Sequence, residues 1–238
     1  MAKVALITGS AKRIGAAIAR HMHKEGFDVM LHAHSSIPEA QDLCDGLNKL
    51  RKDSAAVCFA DLALLSSAEE LIRQTIKWRS QLDCLVHNAS LFIDDSKLND
   101  EIWQTLFSVN VKTPYYLSKN AYSFLAKTNG SIIYITDIHA YKALKGYSVY
   151  CQTKAALNMQ MLSCAKEFAP LIRVNAIAPG AISWPLEDNT LNEQTKHNII
   201  EKTLLKKHGD PLHIAQAALF LMQNDFITGQ VLKIDGGR

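Results

Sequence analysis

Seven apolar runs of five or six residues, each separated from the next by a longer stretch with helical spacing, constrain this chain more than any other feature. VALIT (4–8), DVMLH (28–32), AAVCF (55–59), DCLVH (83–87), SIIYIT (131–136), IRVNAI (172–177) and QVLKI (230–234) are short, rich in β-branched residues and bounded by turn formers, and so read as strands. Residues 13–25, 37–51, 66–79, 99–127, 148–168 and 210–223 carry helical periodicity; Ile14, Ala17, Ile18 and Met22, for example, fall on one helix face. Strands that alternate with helices pair through crossovers, which makes the sheet parallel and covers both of its faces. The expected fold is α/β: a single doubly wound Rossmann domain over residues 1–238, of about seven parallel strands. No repeat, low-complexity segment or linker divides it. The least regular stretch, 181–209, contains Trp184, Pro185, Glu187 and Asp188. It reads as a loop and helix, either a lid over the substrate or an ordinary surface insertion.

Hydrophobic residues make up 48% of the chain, enough for a substantial core, yet no apolar run approaches the ~20 residues of a membrane span. The apolar run after Met1-Ala2-Lys3 stops at Thr8-Gly9, too short for a signal peptide. The five cysteines (Cys44, Cys58, Cys84, Cys151, Cys164) are odd in number, scattered and without a CxxC pair, as expected of free thiols in a reducing, cytoplasmic setting. A net charge of +3 without a dense basic run gives no case for nucleic acid.

The first strand enters Thr8-Gly9-Ser10-Ala11-Lys12-Arg13-Ile14-Gly15 and then a helix. Glycine lets the backbone approach a pyrophosphate, and the helix N-terminus offers free N–H groups and a partial positive charge. The turn is poor in glycine: Arg13 stands in place of the middle one, and an anion partner would account for it. The second strand ends Leu31-His32-Ala33-His34-Ser35-Ser36, without the acid that holds the ribose hydroxyls of NAD. Arg13, His34, Ser35 and Ser36 suit a 2′-phosphate instead, which points to NADPH. Asp61-Leu62, after the third strand, falls beside the adenine, though Asp61 serves equally well as a helix cap.

Tyr150-Cys151-Gln152-Thr153-Lys154 puts a phenol and an ammonium four residues apart on one helix face. A cation beside a phenol lowers its pKa of about 10 and makes Tyr150 a proton donor near neutral pH.

With these pieces in order, the chain resembles the short-chain dehydrogenase/reductase family over essentially its whole length. The matching segments are TGSAKRIG (8–15), Asp61, His87-Asn88-Ala89-Ser90, Asn110, Tyr150 to Lys154, Pro179-Gly180 and Asp235-Gly236-Gly237. The resemblance implies that Asn88 and Ala89 line the adenosine side of the cofactor and that Asn110 holds a water in a proton relay to Lys154. It further implies that Lys154 bonds the nicotinamide ribose, that Pro179-Gly180 flanks the nicotinamide, and that the long helices pack into a homotetramer. The stripe Ala155, Leu157, Met161 and Leu162 fits such an interface and fits a core face equally.

One position departs from the family pattern. Asp137 stands thirteen residues before Tyr150, where the family usually has serine. An ionised carboxylate would repel the alkoxide formed from a ketone, whereas a carboxyl group can share proton delivery to a C=N nitrogen. Asp137, Arg13, the segment 32–36 and Asn88 to Phe92 together resemble the pteridine reductase branch, although Ser35 stands where a second arginine can occur. That likeness implies a pterin stacked on Phe92 and contacted by Ser90, with Trp184 either capping the pterin or packing under 181–209. Taken alone, Phe92 is more often a core residue, and Asp137 a helix cap or loop acid. The expected activity is NADPH-dependent reduction of a dihydropterin, with dihydrofolate as a further acceptor, by Tyr150, Asp137, Lys154 and Asn110. Two alternatives stand beside it: a carbonyl reductase acting on a substrate such as a 3-oxoacyl thioester, and a non-catalytic NADPH-binding regulator.

Overall fold

The computed structural model describes residues 2–184 and 191–238. Pro185, Glu187 and Asp188 of the irregular stretch lie outside these described residues.

In chain order the elements are β1 (Val4–Ile7), α1 (Arg13–Lys24), β2 (Asp28–Ala33), α2 (Ile37–Leu50), β3 (Ala55–Phe59), α3 (Ser66–Arg79), β4 (Cys84–His87), α4 (Asp100–Phe107), α5 (Thr113–Lys127), β5 (Ser131–Ile135), α6 (Ser148–Phe168), β6 (Arg173–Pro179), α7 (Glu193–Glu201), α8 (Pro211–Gln223) and β7 (Val231–Ile234). The strands form one sheet in the order β3-β2-β1-β4-β5-β6-β7. Every pair is parallel. This is the doubly wound α/β architecture expected from the alternation.

Strand alternation divides the core. Ala5, Ile7, Val29, Leu31 and Ile133 face the α1, α2 and α8 side, with Ile18, Leu43 and Ile214. Leu6, Met30, Leu85, Ile132 and Tyr134 face the α3, α5 and α6 side, with Leu71, Leu117 and Met161. Two apolar faces explain why the strands read as continuous hydrophobic runs. The chain winds outward from β1 in one direction and from β4 in the other. Such a reversal opens a crevice at the C-terminal ends of the two central strands.

The helix expected over 99–127 is interrupted. Between α4 and α5 lies a π-helical turn, Ser108–Lys112. Pro114 has no N–H to return to the carbonyl of Asn110, four residues earlier, so the regular ladder cannot pass this point. The stripe on α6 also splits: Leu157 and Met161 are buried in the chain's own core, while Ala155 and Leu162 are exposed.

Candidate active site

A cleft of about 760 Å³ opens at the reversal point. Its walls come from the β1–α1 turn, the end of β2, the loop after β3, the loop after β4, the β5 end, the start of α6 and the loop after β6. At one end stand His34, Ser35 and Ser36, and at the other Asp137, Tyr150 and Lys154.

The β1–α1 turn is tightly built. Gly9 has φ +62°, and a Cβ there would sit 2.8 Å from Ala89 Cα. Asn88 donates from Nδ2 to the carbonyls of Thr8 (2.9 Å) and Gly9 (2.8 Å). Thr8 Oγ1 accepts from the N–H groups of Asn88 (3.0 Å) and Ala89 (3.1 Å). Asn88 and Ala89 therefore tie the β4 end to the turn as well as lining the cleft. The first turn of α1 carries no acidic residue, and its N-cap, Lys12, makes no side-chain capping bond. Its free N–H donors, with Ala11, Lys12 and Ile14 on the cleft wall, are chemically suited to a pyrophosphate. His34, Ser35 and Ser36 at the β2 end supply donors without a carboxylate, as a 2′-phosphate requires.

The backbone of Arg13 is left-handed (φ +52°), and its guanidinium donates to the Ser183 carbonyl at 3.0 Å. Burial lowers its pKa, and the electrostatic influence of Tyr150 raises it. The guanidinium thus reaches the loop after β6, while Arg13 lines the same cleft as His34, Ser35 and Ser36. Asp61 and Leu62 line the wall; Asp61 Oδ1 accepts from Ala63 N at 2.9 Å and closes a local turn, while the N-cap of α3 is Leu65, so Asp61 is not the helix cap of the alternative reading.

At the inner end Tyr150 donates its hydroxyl hydrogen to Asp137 Oδ2 at 2.7 Å. Asp137 Oδ1 accepts from His139 N at 2.8 Å. Lys154 is buried and donates to the Ile135 carbonyl at 3.1 Å, with its ammonium 5.6 Å from the Tyr150 ring centroid. Burial pushes the Lys154 pKa down to about 8, against an opposing influence of Asp137. Burial and then Asp137 hold the Tyr150 phenol well above its ordinary value. The expectation that Lys154 lowers the phenol pKa is thus corrected, because the hydroxyl is engaged by a carboxylate and the ammonium by a carbonyl. The phenol carries its proton and is placed to give it up.

Asn110 is buried and its side chain is saturated. Its Nδ2 donates to Leu91 O (3.0 Å) and Thr153 Oγ1 (3.0 Å), and its Oδ1 accepts from Leu91 N (2.8 Å) and Ser90 Oγ (3.2 Å). The amide has no capacity left for the water expected of it. The group that can hold one is its carbonyl, deprived by Pro114 of the usual helical donor. Ser90 lines the cleft and is spent partly on Asn110. Pro179 and Gly180 line it too; Gly180 is fixed by a 2.9 Å bond from its N–H to Ile234 O, and a Cβ there would lie 2.7 Å from Asp235.

Phe92 stacks on Tyr147 (4.1 Å between centroids, 9° between planes) and meets Tyr150 edge-on at 4.7 Å. One of its faces is therefore covered from within the chain. Trp184 stacks on His208 at 4.3 Å and is absent from the cleft lining, so its expected contact with substrate is corrected in favour of packing. The base of the segment 181–209 is pinned by Gly209 N donating to Ala181 O at 2.9 Å.

Three participants had no assigned part in the sequence reading. Ile135 offers the carbonyl for Lys154, and Ser183 that for Arg13; both are backbone roles, which residue types do not announce. His32 holds Gly9, and its signal was available: in the parallel register Ile7 pairs with Leu31, so His32 comes beside the turn.

A family model described as enoyl-(acyl carrier protein) reductase matches residues 9–238. The chain is 33% identical to the 3-oxoacyl-[acyl-carrier-protein] reductase FabG of Rickettsia prowazekii, over 99% of this chain and 96% of the relative. It is 30% identical to pteridine reductase 1 of Leishmania tarentolae, again over 99% and 96%. It is 28% identical to a putative ketoacyl reductase of granaticin polyketide synthesis from Streptomyces violaceoruber, over 99% and 96%. FabG proteins of three further Rickettsia strains match at 32–33%. The dihydropterin acceptor expected from Asp137 and Phe92 is overturned by this balance, which favours the carbonyl alternative. The structure supplies the physical reason those residues misled: both oxygens of Asp137 have partners within the chain, and Phe92 already has a stacking partner.

Proposed function

The chain belongs to the short-chain dehydrogenase/reductase family, and from that premise we propose that it reduces the carbonyl of a 3-oxoacyl thioester or a closely similar substrate with NADPH. NADPH is the cofactor, and when bound it supplies the hydride. The observation that carries the reading is the convergence of a protonated phenol, Tyr150, and a buried ammonium, Lys154, at the inner end of a cleft whose outer end presents the α1 N-terminus and His34 to Ser36.

In this reading the residues divide the work. The α1 N–H groups and Arg13 neutralise pyrophosphate charge, and His34, Ser35 and Ser36 hold the 2′-phosphate. Asn88, Ala89, Asp61 and Leu62 shape the adenosine side, and Pro179-Gly180 the nicotinamide side. Lys154 orients the ribose and stabilises charge near the phenol. Tyr150 releases its hydroxyl proton from Asp137 to the oxygen that becomes the alcohol. Asn110, through its carbonyl, positions the water that returns a proton toward Lys154. Leu91, Phe92, Val109 and Ile182 give the cleft an apolar side for an acyl chain. Ser183, bonded to Arg13, ties the start of the segment 181–209 to the β1–α1 turn and brings Ile182 and Ser183 to the cleft. Exposed Tyr115 and Tyr116 on α5 with Met159 and Leu162 on α6 form the face through which subunits associate into a homotetramer.

The test is NADPH oxidation followed at its nicotinamide absorbance, with an acetoacetyl thioester as acceptor and identification of the 3-hydroxyacyl product. Turnover with that product is expected. Tight NADPH binding without turnover on oxoacyl thioesters of any chain length would overturn the assignment.

A further inference from the structure

We propose that His32 is a positioning residue for the cofactor: its neutral imidazole holds the glycine turn in the shape that binds the dinucleotide, and its protonation weakens that binding.

The geometry assigns the tautomer. Gly9 donates its N–H to His32 Nδ1 at 3.0 Å. Nδ1 is therefore the acceptor, and Nε2 carries the hydrogen, which it donates to the Ala60 carbonyl at 3.0 Å. The backbone of the same residue is locked as well: His32 N donates to Ser10 Oγ at 2.9 Å, and Ser10 N donates to His32 O at 2.9 Å. One side chain thus joins the β1–α1 turn, the β2 end and the β3 end, the three segments that frame the outer cleft. Its relative exposure is 2%, so water cannot replace a lost partner cheaply.

Protonating Nδ1 turns an acceptor into a donor facing the Gly9 N–H. Two donors then oppose each other in a buried site, and the turn must shift. Gly9 has little room for this, since a Cβ on it would already fall 2.8 Å from Ala89 Cα. The charged or titratable neighbours that bear on the imidazole are His34 from its own strand end and Asp61 from beyond β3; His34 disfavours the charged ring, and Asp61 favours it less strongly. Burial is the largest influence and lowers the pKa. The neutral, turn-holding form therefore prevails at neutral pH and is lost on acidification. Conversely, a nucleotide that needs the ordered turn favours the neutral ring.

The inference rests on the cofactor reading of the cleft and not on the identity of the carbonyl acceptor. It is tested by measuring nucleotide dissociation constants by fluorescence from about pH 8 down to the lowest pH at which circular dichroism shows the protein folded. NADPH and NADH are run in parallel, because the 2′-phosphate of NADPH itself changes charge near pH 6. Wild type, His32→Asn and His32→Phe are compared, with folding checked by circular dichroism. The carboxamide introduced by His32→Asn keeps an acceptor for Gly9 and cannot titrate. The expected results are an NADH dissociation constant that rises severalfold on acidification in wild type, a flat NADH profile in H32N with near-neutral affinity within about fivefold of wild type, and an affinity at least tenfold weaker in H32F. A flat wild-type NADH profile, or an H32N profile as steep as wild type, overturns the proposal even if H32F fails to fold. Absence of binding by either nucleotide at every pH overturns the cofactor reading itself, and this proposal with it.

Discussion

Asp137 and Tyr150 share a hydrogen bond of 2.7 Å in which the phenol is the donor. The proton destined for a reduced acceptor is therefore stored on Tyr150 and pointed at a carboxylate until an acceptor oxygen takes the carboxylate's place. Lys154 stands behind this pair, bonded to the Ile135 carbonyl, and the phenol is not its direct partner.

Replacing Tyr150 by Phe removes the stored proton and little else, since the ring still packs edge-on against Phe92. Steady-state turnover on an acetoacetyl thioester is expected to fall by roughly 100-fold or more, the usual scale of general acid catalysis. NADPH affinity, measured by fluorescence, should change by less than about threefold. Turnover within a few-fold of wild type would remove Tyr150 from the reaction.

The Asp137 bond also has a cost for the reaction. A hydrogen bond to a charged group contributes about 1.5–3 kcal/mol, and it stabilises the phenol before transfer. Asp137→Ser replaces this acceptor with a hydroxyl that can donate to the substrate oxygen. Turnover on an oxoacyl thioester should rise by about tenfold, the equivalent of about 1.4 kcal/mol. A fall in kcat would mean that the carboxyl group delivers a proton and does not merely hold one.

Lys154 gives the reaction an alkaline limit. Burial lowers its pKa to about 8 from the usual 10.5, so the ammonium that stabilises negative charge is present below that value and lost above it. The logarithm of kcat/KM for reduction should decline from about pH 8, approaching a slope of −1. Stability moves the other way. Between about 8 and 10.5 the unfolded lysine binds a proton that the folded one has released, so this group's contribution to stability rises with pH across that window and is lost as pH falls through about 8. A profile level to pH 10 would place the Lys154 charge outside the rate-determining chemistry.

The fold was legible because a parallel sheet buried on both faces writes each strand as an unbroken apolar run, and all seven were located. The Tyr150–Lys154 spacing and the β1–α1 turn were equally local. What stayed hidden was direction. No residue type reveals that Arg13 adopts a left-handed backbone and reaches Ser183, or that Asn110 spends its whole amide on Leu91, Ser90 and Thr153. Asp137 misled for the same reason. A carboxylate in place of serine is visible in sequence, but its two partners, Tyr150 and His139, are products of the fold. The break at Pro114 was readable in principle, since a proline inside a helical pattern removes a backbone donor; the amphipathic pattern on either side concealed it.

Gly15 offers the clearest test that the turn, and not only its neighbours, sets cofactor affinity. A Cβ at this position would collide with the Gly9 carbonyl and lie 2.6 Å from Asn88 Nδ2 and 2.8 Å from Ser10 Cα. The first obstacle is backbone, and the second is a side chain held by its bonds to Thr8 and Gly9. Neither can yield without opening the β1–α1 turn or the link to β4. Gly15→Ala should therefore destabilise the protein by about 1–3 kcal/mol, the range for overpacking a close-packed site. The larger effect should fall on function, because the displaced Gly9 carries the N–H that anchors His32. NADPH affinity is expected to weaken by more than tenfold, while a thermal melt still shows one cooperative transition at lower temperature. Wild-type affinity in a folded Gly15→Ala protein would show that the dinucleotide binds elsewhere than against this turn.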